Sequence, residues 1–255
     1  MCLIGFAWQA SAEYPFALVA NRDEFHARPT APMHWWHEPR IAAGRDLQAG
    51  GTWLGVNKQG RFAAITNFRD GTDQTSWPGS RGSLVSAVLA HVGTLDEVQA
   101  HVDHSKNEFA GFNLLFGDLF GEQRELRFTS NRGQDSMIVT PGIYSFSNGA
   151  FGAKWPKIER TNERLTRALR HRVPDGFWDV LSDRESASAA DLPDTGVGAE
   201  LESFLSPVFI VGQTYGTRSS HRILCRQHLE IDVAEMRYNP SGELVGASNI
   251  RIKPP

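Results

Sequence analysis

Cys2 is the residue whose type and position indicate chemistry most directly, because excision of Met1 would make it the N-terminal residue. One residue would then carry both a thiol and a free α-amine. An α-amine titrates at about pH 8, so its neutral form can act as the base for an adjacent nucleophile. The position predicts a thiol that attacks a carbonyl carbon. The alternative is an inert cysteine that packs as a small apolar side chain.

Two apolar runs at the start of the chain predict the hairpin that would position this thiol. Cys2–Trp8 is an apolar run of strand length, and a second run follows at Pro15–Ala20 after a polar stretch. Paired antiparallel strands place the end of the second strand beside the start of the first. We therefore expect the amide, guanidinium and carboxylates of Asn21–Glu24 to surround the Cys2 thiol.

The rest of the chain reads as strands, then helices, then strands again, which favours a layered α+β fold over a doubly wound parallel sheet. Thr52–Asn57 and Arg61–Asn67 predict a hairpin that continues the opening sheet. Ser186–Gly198 has the composition of a mobile surface loop. Helices are expected over Ser83–Val92, over about Lys154–Arg172 and within Asp175–Leu181, and a capping box at Thr94–Glu97 begins one more helix. Strands are expected over Phe112–Asp118 and Glu125–Ser130. A three-stranded meander is expected over Ser220–Ile252.

Length and composition narrow the class of protein. The 255 residues are 40% hydrophobic, which is enough for a full core, and one domain over residues 1–255 is the expectation. A formal net charge of −3 argues against a nucleic-acid partner. No apolar stretch has membrane-spanning length and the start of the chain lacks a basic signal region, so we expect a cytoplasmic protein without a transmembrane segment. Oligomeric state cannot be read from the sequence.

The two cysteines are expected to stay reduced in that compartment, and their spacing gives no metal-ligand set. Cys225 lies in a predicted strand and is expected in the core. Two histidines and two tryptophans crowd Met33–His37, which we interpret as a Pro-flanked loop. That loop could form a ligand lip or a haem-contacting surface, or it could pack its aromatic rings on the core.

The string Asn-Arg-Asp-Glu after a strand that begins with cysteine resembles the NRDE family, the transport and Golgi organization protein 2 family. The resemblance implies a four-layer αββα sandwich of antiparallel sheets flanked by helices, the fold of N-terminal nucleophile hydrolases. It leaves the reaction open. Further segments match the family in order along nearly the whole chain: Ala20–Pro29, Gly50–Gly55, Ala63–Phe68, Gly111–Leu115, Tyr144–Asn148 and Tyr215–Arg218.

Resemblance to bile-salt and penicillin V amidases of the same fold assigns roles to residues in this sequence. Asp23 falls where those amidases hold the nucleophile's amine. Asn67 and Asn148 match two asparagines that donate N–H bonds to the oxyanion, which side-chain amides can do without carrying charge. Arg218 resembles a late arginine that stabilises the nucleophile region and would lower the pKa of the thiol.

One position departs from the amidase pattern. The amidases carry an arginine immediately before the asparagine of this segment, whereas this chain has Ala20 there and carries Arg22 after the asparagine. Residues two apart in a strand share a face, so Arg22 can face the same side from a shifted position. Arg22 is therefore a candidate catalytic residue. The alternative is a structural ion pair between Arg22 and Glu24.

Two classes of function remain open at this point. The first is a Cys2-dependent hydrolase of a small amide that needs no cofactor, in which a thioester forms and water releases the acid. The second is a non-catalytic protein on the same fold, because members of the resembled family have been linked to haem mobilisation and to acyl-lipid or acyl-CoA handling. The expected partner is thus a small-molecule amide or acyl ligand, with haem under the second interpretation.

Overall fold

The computed structural model describes residues 2–73, 75–121, 124–227 and 230–254, with the backbone alone described at Cys2. These residues form thirteen strands: β1 (Cys2–Trp8), β2 (Phe16–Phe25), β3 (Thr30–Trp35), β4 (Ile41–Asp46), β5 (Leu54–Asn57), β6 (Arg61–Asn67), β7 (Phe112–Asp118), β8 (Glu125–Ser130), β9 (Met137–Ile138), β10 (Gly142–Phe146), β11 (Tyr215–Cys225), β12 (Ile231–Tyr238) and β13 (Leu244–Ile252). Their helices are α1 (Arg81–Ala90), α2 (Leu95–Ser105), α3 (Pro156–His171), α4 (Gly176–Asp179) and α5 (Ala199–Phe204).

The strands pair into two antiparallel sheets. The first sheet has the order β10-β1-β2-β11-β12-β13, and the second runs from β3 to β9 in chain order. The opening hairpin is confirmed, since Cys2 pairs with Arg22 and Leu3 with Asn21. The expectation that β5 and β6 continue the opening sheet is wrong. They lie in the second sheet, because β10 and β11 occupy the two free edges of the β1–β2 hairpin.

Buried side chains show the layers. Phe16 of the first sheet packs against Phe62 of the second, with ring centroids 5.0 Å apart, so the largest core lies between the two sheets. The outer face of the first sheet is covered by α3 and α4, where Tyr14, Leu165 and Phe177 share a second core. Leu84, Val85 and Val88 of α1 are buried against the second sheet. The expected αββα sandwich is confirmed.

Local sequence signals account for the helix boundaries. Thr94 accepts from the backbone of Glu97 while the Glu97 carboxylate accepts from the backbone of Thr94, the reciprocal arrangement of a capping box. Pro156 occupies the first turn of α3, where its missing N–H leaves no bond unmade. The same helix ends at Arg172 in the left-handed conformation, with φ of 56°. Within the described ranges, no helix combines the length and apolar character that crossing a membrane requires.

Two expected loops are more ordered than the sequence suggested. Residues Thr30–Trp35 form strand β3, and Trp36 is buried with its indole N–H donating to the carbonyl of Ala43. The interpretation of Met33–His37 as a loop is therefore wrong for most of its length. The segment Ser186–Gly198 is fastened at Thr195, whose carbonyl accepts from the amide of Gly71 at 2.9 Å. The predicted strands β6, β7 and β8 are confirmed with the expected bounds.

Candidate functional site

Ends of several strands meet the N-terminus of α1 around a cavity of about 310 Å³, which we call the first cavity. The end of β2, the end of β4 and the end of β6 contribute polar side chains, and Trp53 and Trp77 contribute aromatic ones. The charged lining residues are Arg22, Asp23, Glu24, Arg28, Asp46 and Arg81. The cavity is therefore lined by both signs of charge together with aromatic surface.

The β1–β2 register places the backbone of Cys2 opposite Arg22 and thus one residue from Asp23. The side chain of Cys2, the predicted nucleophile, lies outside the described part of the structure, as does Met1. Arg22 and Asp23 both line the first cavity. The fold therefore brings the start of β1 to the residues that line this cavity.

Asp23 is buried, with 2% of its surface exposed, and its carboxylate is oriented by β11. The hydroxyl of Thr217 donates to Asp23 Oδ1 at 2.7 Å, and the same hydroxyl accepts from the amide of Ile210 at 2.9 Å. Burial raises the pKa of Asp23, while the Lys157 cation and the Thr217 hydrogen bond counteract that rise. The contacts fix the carboxylate in one orientation, as a group that holds an amine would require.

The described contacts of Arg22 include no ion pair with Glu24, the alternative considered from the sequence. Its guanidinium lies over the ring of Trp53, 4.1 Å from the centroid, and Nη1 donates to the hydroxyl of Thr30 at 3.2 Å. Glu24 Oε2 instead lies 3.9 Å from Arg28 Nε, and the same nitrogen lies 2.8 Å from Asp46 Oδ2. The alternative of an Arg22–Glu24 pair is wrong, and Arg22 presents its stacked guanidinium at the wall of the first cavity.

Asn67 and Asn148 are brought together, although only Asn67 lines the first cavity. Asn148 is fully buried behind it, and Asn148 Nδ2 donates to the carbonyl of Asn67 at 2.9 Å. The loop that carries Asn148 is held by Thr66 and Asn113, whose side chains donate to the carbonyl of Ser147 at 2.7 and 3.2 Å. Both supporting residues lie in segments that match the family, Ala63–Phe68 and Gly111–Leu115, but sequence reasoning gave neither of them a role.

Two residues that were predicted to surround the thiol do not line the first cavity. Arg218, which the amidase resemblance assigns to the nucleophile region, lines a neighbouring cavity that shares Arg22 with the first, and its Nη1 donates to the carbonyls of Phe25 and Arg28. Asn21 points to the helix side of the sheet, where its amide donates to the carbonyls of Leu181 and Val208. Neighbouring residues of a strand point to opposite faces of the sheet, which explains why the Asn21 side chain faces away from Ala20 and Arg22. Cys225 is buried as expected and does not line the first cavity.

A family model for Transport and Golgi organisation 2 matches residues 1–240. The chain belongs to this family. The human Transport and Golgi organization protein 2 homolog is 30% identical over 250 residues, with 88% of each chain covered. The corresponding mouse homolog is 28% identical over 248 residues, again with 88% of each chain covered. The full span of the match agrees with the order of motifs along the sequence.

This chain has the same fold as a hydrolase whose structure has been solved. The C2A mutant of conjugated bile acid hydrolase from Clostridium perfringens matches with a TM-score of 0.54 over 97% of this chain and 92% of that chain. The two sequences are 10% identical, so the likeness concerns the fold. The architecture of this Transport and Golgi organisation 2 family protein is thus the N-terminal nucleophile hydrolase sandwich.

A buried ion pair behind the asparagines was not foreseen from the sequence. Arg69 Nη1 donates to Glu202 Oε2, and both side chains are at most 4% exposed. Arg69 also lies over the Trp155 ring at 5.4 Å, and its backbone amide donates to the carbonyl of Asn148 at 2.6 Å. The Glu202 carboxylate accepts from the amide and hydroxyl of Thr195 at 2.8 and 2.5 Å. This ion pair joins the Asn148 loop to α5.

His221 forms a second buried polar group beside Arg22. It is 1% exposed, and its Nε2 accepts from the Trp53 indole N–H at 3.0 Å and lies 2.9 Å from the Ser219 hydroxyl. Burial lowers the pKa of His221 to about 4, with Arg22 acting in the same direction and Glu235 against it. His221 is therefore neutral at physiological pH and accepts a bond that fixes Trp53.

We expect the free energy of unfolding to fall as the pH drops from about 6.5 to about 4. In this interval the unfolded His221 takes up a proton while the folded residue does not, so protonation favours the unfolded state. The stabilisation is fully present above the unfolded pKa and amounts to about 3 kcal/mol at most. Urea unfolding at several pH values would measure it in the wild type and in His221→Asn.

The matched control for this measurement is His34→Asn, because His34 is exposed. His221→Asn should flatten the pH dependence in this interval, whereas His34→Asn should leave it as in the wild type. Parallel curves for the wild type and His221→Asn would show that His221 titrates normally and would contradict the prediction.

Proposed function

We propose that this protein is a Cys2-dependent hydrolase that cleaves the C–N bond of a small polar amide. One observation carries the proposal: the backbone of Cys2 pairs with Arg22 beside the buried Asp23, where Arg22, Asp23 and Asn67 line a cavity of about 310 Å³. A thiol and an α-amine at this position, a fixed carboxylate and amide donors are the groups that acyl transfer needs.

The proposed reaction proceeds in two steps. The α-amine of processed Cys2 takes the thiol proton, and the sulfur attacks the amide carbon to form a C–S bond. The C–N bond breaks as the protonated amine returns a proton to the leaving nitrogen, which leaves a thioester. Water then forms a C–O bond to the thioester carbon with the α-amine as base, the C–S bond breaks, and the thiol recovers its proton, so that one amide and one water give one acid and one amine. Asp23 orients the amine throughout, because Thr217 holds its carboxylate.

Asn67 and Asn148 are the proposed oxyanion donors. Asn67 stands at the cavity wall, and Asn148 uses one amide proton on the carbonyl of Asn67 and retains a second for the oxyanion. The Asn148 side-chain oxygen accepts from the Ser147 hydroxyl at 3.1 Å, and Thr66, Asn113 and the backbone amide of Arg69 hold the loop that carries Asn148. Such preorganised donors stabilise charge that develops only in the transition state.

Asn148→Ala should lower kcat by about 10²-fold or more while changing KM little, because the lost donor acts chiefly in the transition state. Steady-state kinetics with fluorogenic short-chain acyl amides would measure both constants. Asn249→Ala is the matched control, since Asn249 is exposed on β13 and bonds only to Asp232 among the described contacts. An unchanged kcat in Asn148→Ala would remove Asn148 from the oxyanion site.

The lining of the first cavity favours a small polar ligand over haem or a long acyl chain. Haem and lipid sites are lined predominantly by apolar side chains with few polar groups. Six charged side chains line this cavity, and Arg28 and Asp46 pair with one another across part of the wall. A titration that produces a Soret shift, or displaces a fluorescent fatty acid, at micromolar protein would instead support the non-catalytic interpretation.

Intact-mass spectrometry with a thiol-reactive acyl probe tests the nucleophile directly. The wild type should show loss of Met1 and a single acyl adduct. Cys225→Ala is the matched control, because burial raises the pKa of the Cys225 thiol to about 11 and keeps it unreactive. The adduct should persist in Cys225→Ala and disappear in Cys2→Ala. Retention of Met1, or an adduct located on Cys225, would overturn the proposal.

A further inference from the structure

A second cavity of about 140 Å³ lies beside the first and shares Arg22 with it. Three guanidinium groups line it, from Arg22, Arg218 and Arg237, together with one carboxylate, from Glu235. Val245, 62% exposed on β13, also lines the cavity and marks its opening to solvent. The amidase resemblance gives Arg22 and Arg218 roles beside the nucleophile, but it assigns no ligand to this second cavity.

A β-bulge directs Arg218 into this cavity. Strand β11 pairs Thr217 with Asp23 and Ser219 with Arg22, so Arg218 is the extra residue between two consecutive pairs. Bulges redirect a side chain and are common beside functional sites. The bulge thus separates Arg218 from Thr217, which serves Asp23, and sends the guanidinium towards the β2–β3 connection.

Arg218 and Arg22 converge on one oxygen. Both Nη1 atoms lie 3.2 Å from the hydroxyl oxygen of Thr30, whose own proton is donated to the carbonyl of Arg28 at 3.2 Å. Two cations are therefore held against the same neutral atom. Since like charges at short range repel, an anion placed between them would lower the electrostatic energy of the cavity.

The carboxylate in the lining does not neutralise Arg218. Glu235 Oε2 is bonded to Arg237 at 2.7 Å and also accepts from the amide of Met33 at 2.9 Å. No carboxylate of the described residues lies within 4.0 Å of the Arg218 guanidinium, and its acceptors are backbone carbonyls and the Thr30 hydroxyl. Glu24 and Asp46 act on Arg218 only from beyond that distance, so the half-buried guanidinium has no direct carboxylate partner among the described residues at the cavity wall.

We propose that the second cavity binds an oxyanion, a phosphate or carboxylate group, between Arg218 and Arg22. Guanidinium groups present planar N–H pairs that match the oxygens of both anions. The cavity volume suits such a group and excludes a ligand of nucleotide or haem size. The site shares Arg22 with the first cavity but does not use the Cys2 thiol, so its occupancy does not depend on Cys2 as nucleophile.

Isothermal titration of the full-length protein with inorganic phosphate tests the site. Arg218→Gln should weaken phosphate binding at least about tenfold, as expected for loss of a charge-assisted pair. Arg251→Gln is the matched control, since Arg251 is 70% exposed on β13 and lies outside the lining. Equal affinity in Arg218→Gln and the wild type, equal weakening in Arg251→Gln, or no phosphate binding by the wild type would overturn the proposal.

A second variant guards against a folding defect, because Arg218 also donates to backbone carbonyls. Arg218→Lys keeps the charge and loses the planar fork, so its phosphate affinity should fall between those of the wild type and Arg218→Gln. Circular dichroism would verify that both variants are folded. A folded Arg218→Lys that binds no better than Arg218→Gln would contradict an electrostatic site.

Two further titrations are needed. The first distinguishes a free oxyanion from the anionic group of a larger ligand, and the second distinguishes failure of this proposal from failure of the proposed amide hydrolysis. Butyl phosphate that binds more tightly than inorganic phosphate would identify the anionic group of a larger ligand, whereas equal affinity would identify a free oxyanion. Either result requires the Arg218 dependence and supports the site. Cys2→Ala should bind phosphate like the wild type, so an inactive nucleophile and a failed anion site give different results.

Discussion

Cys2→Ala is expected to lower amide hydrolysis by about 10⁴-fold or more, the scale of loss seen when a covalent nucleophile is removed from other hydrolases. The physical reason is that alanine offers no atom to form the thioester, and the cavity residues alone supply only binding and oxyanion stabilisation. Steady-state rates on a panel of short-chain acyl amides, with intact-mass detection of the acyl intermediate, would measure the loss.

Two variants make that experiment decisive. Cys225→Ala removes a buried thiol outside the first cavity and should retain the full rate. Cys2→Ser should show a large loss as well, because a hydroxyl is far less ionised than a thiol at neutral pH. A Cys2→Ala protein that keeps the wild-type rate would eliminate the nucleophile assignment and leave the first cavity as a binding site.

Elements formed by neighbouring segments could be predicted from the sequence. The β1–β2 hairpin follows from two consecutive apolar runs, and its register brings Arg22 opposite Cys2 as expected. The capping box at Thr94 and the bounds of β6 are equally local. The placement of β5 and β6 in the second sheet is not local. Their pattern is the same in either sheet, and the choice depends on β10 and β11, which lie far away in the chain.

The residues of the candidate site also fall into two groups, those whose position the sequence predicted and those whose position it did not. Asp23 follows the predicted run Pro15–Ala20 and Asn67 ends the predicted strand Arg61–Asn67, so their position at a sheet end could be anticipated, and both line the first cavity. Arg218 could not be placed from alternation, because a bulge inserts it between two paired residues and the sequence carries no mark of the bulge. Arg69 and Glu202 are 133 residues apart, and nothing in either segment indicates the partner.

Loss of the Arg69–Glu202 pair should lower the free energy of unfolding by a large amount, because both side chains are buried. Glu202→Ala is expected to reduce the free energy of unfolding by about 3–5 kcal/mol, because it leaves the Arg69 cation buried without its carboxylate. It also removes the acceptor for the amide and hydroxyl of Thr195, which fastens the preceding loop. Urea unfolding monitored by tryptophan fluorescence would measure the change.

A double variant tests why breaking the Arg69–Glu202 pair destabilises the protein. Arg69→Met with Glu202→Leu replaces both charges by apolar groups, so we expect the double variant to recover most of the loss in Glu202→Ala. Glu185→Ala is the matched control, since Glu185 pairs with Arg160 at 3.3 Å but is 77% exposed and should cost at most about 1 kcal/mol. A double variant no more stable than Glu202→Ala would show that the Thr195 bonds, rather than the buried charge, dominate. Because Arg69 also bonds the Asn148 loop through its backbone amide, which both substitutions retain, kcat should fall less in the double variant than in Asn148→Ala.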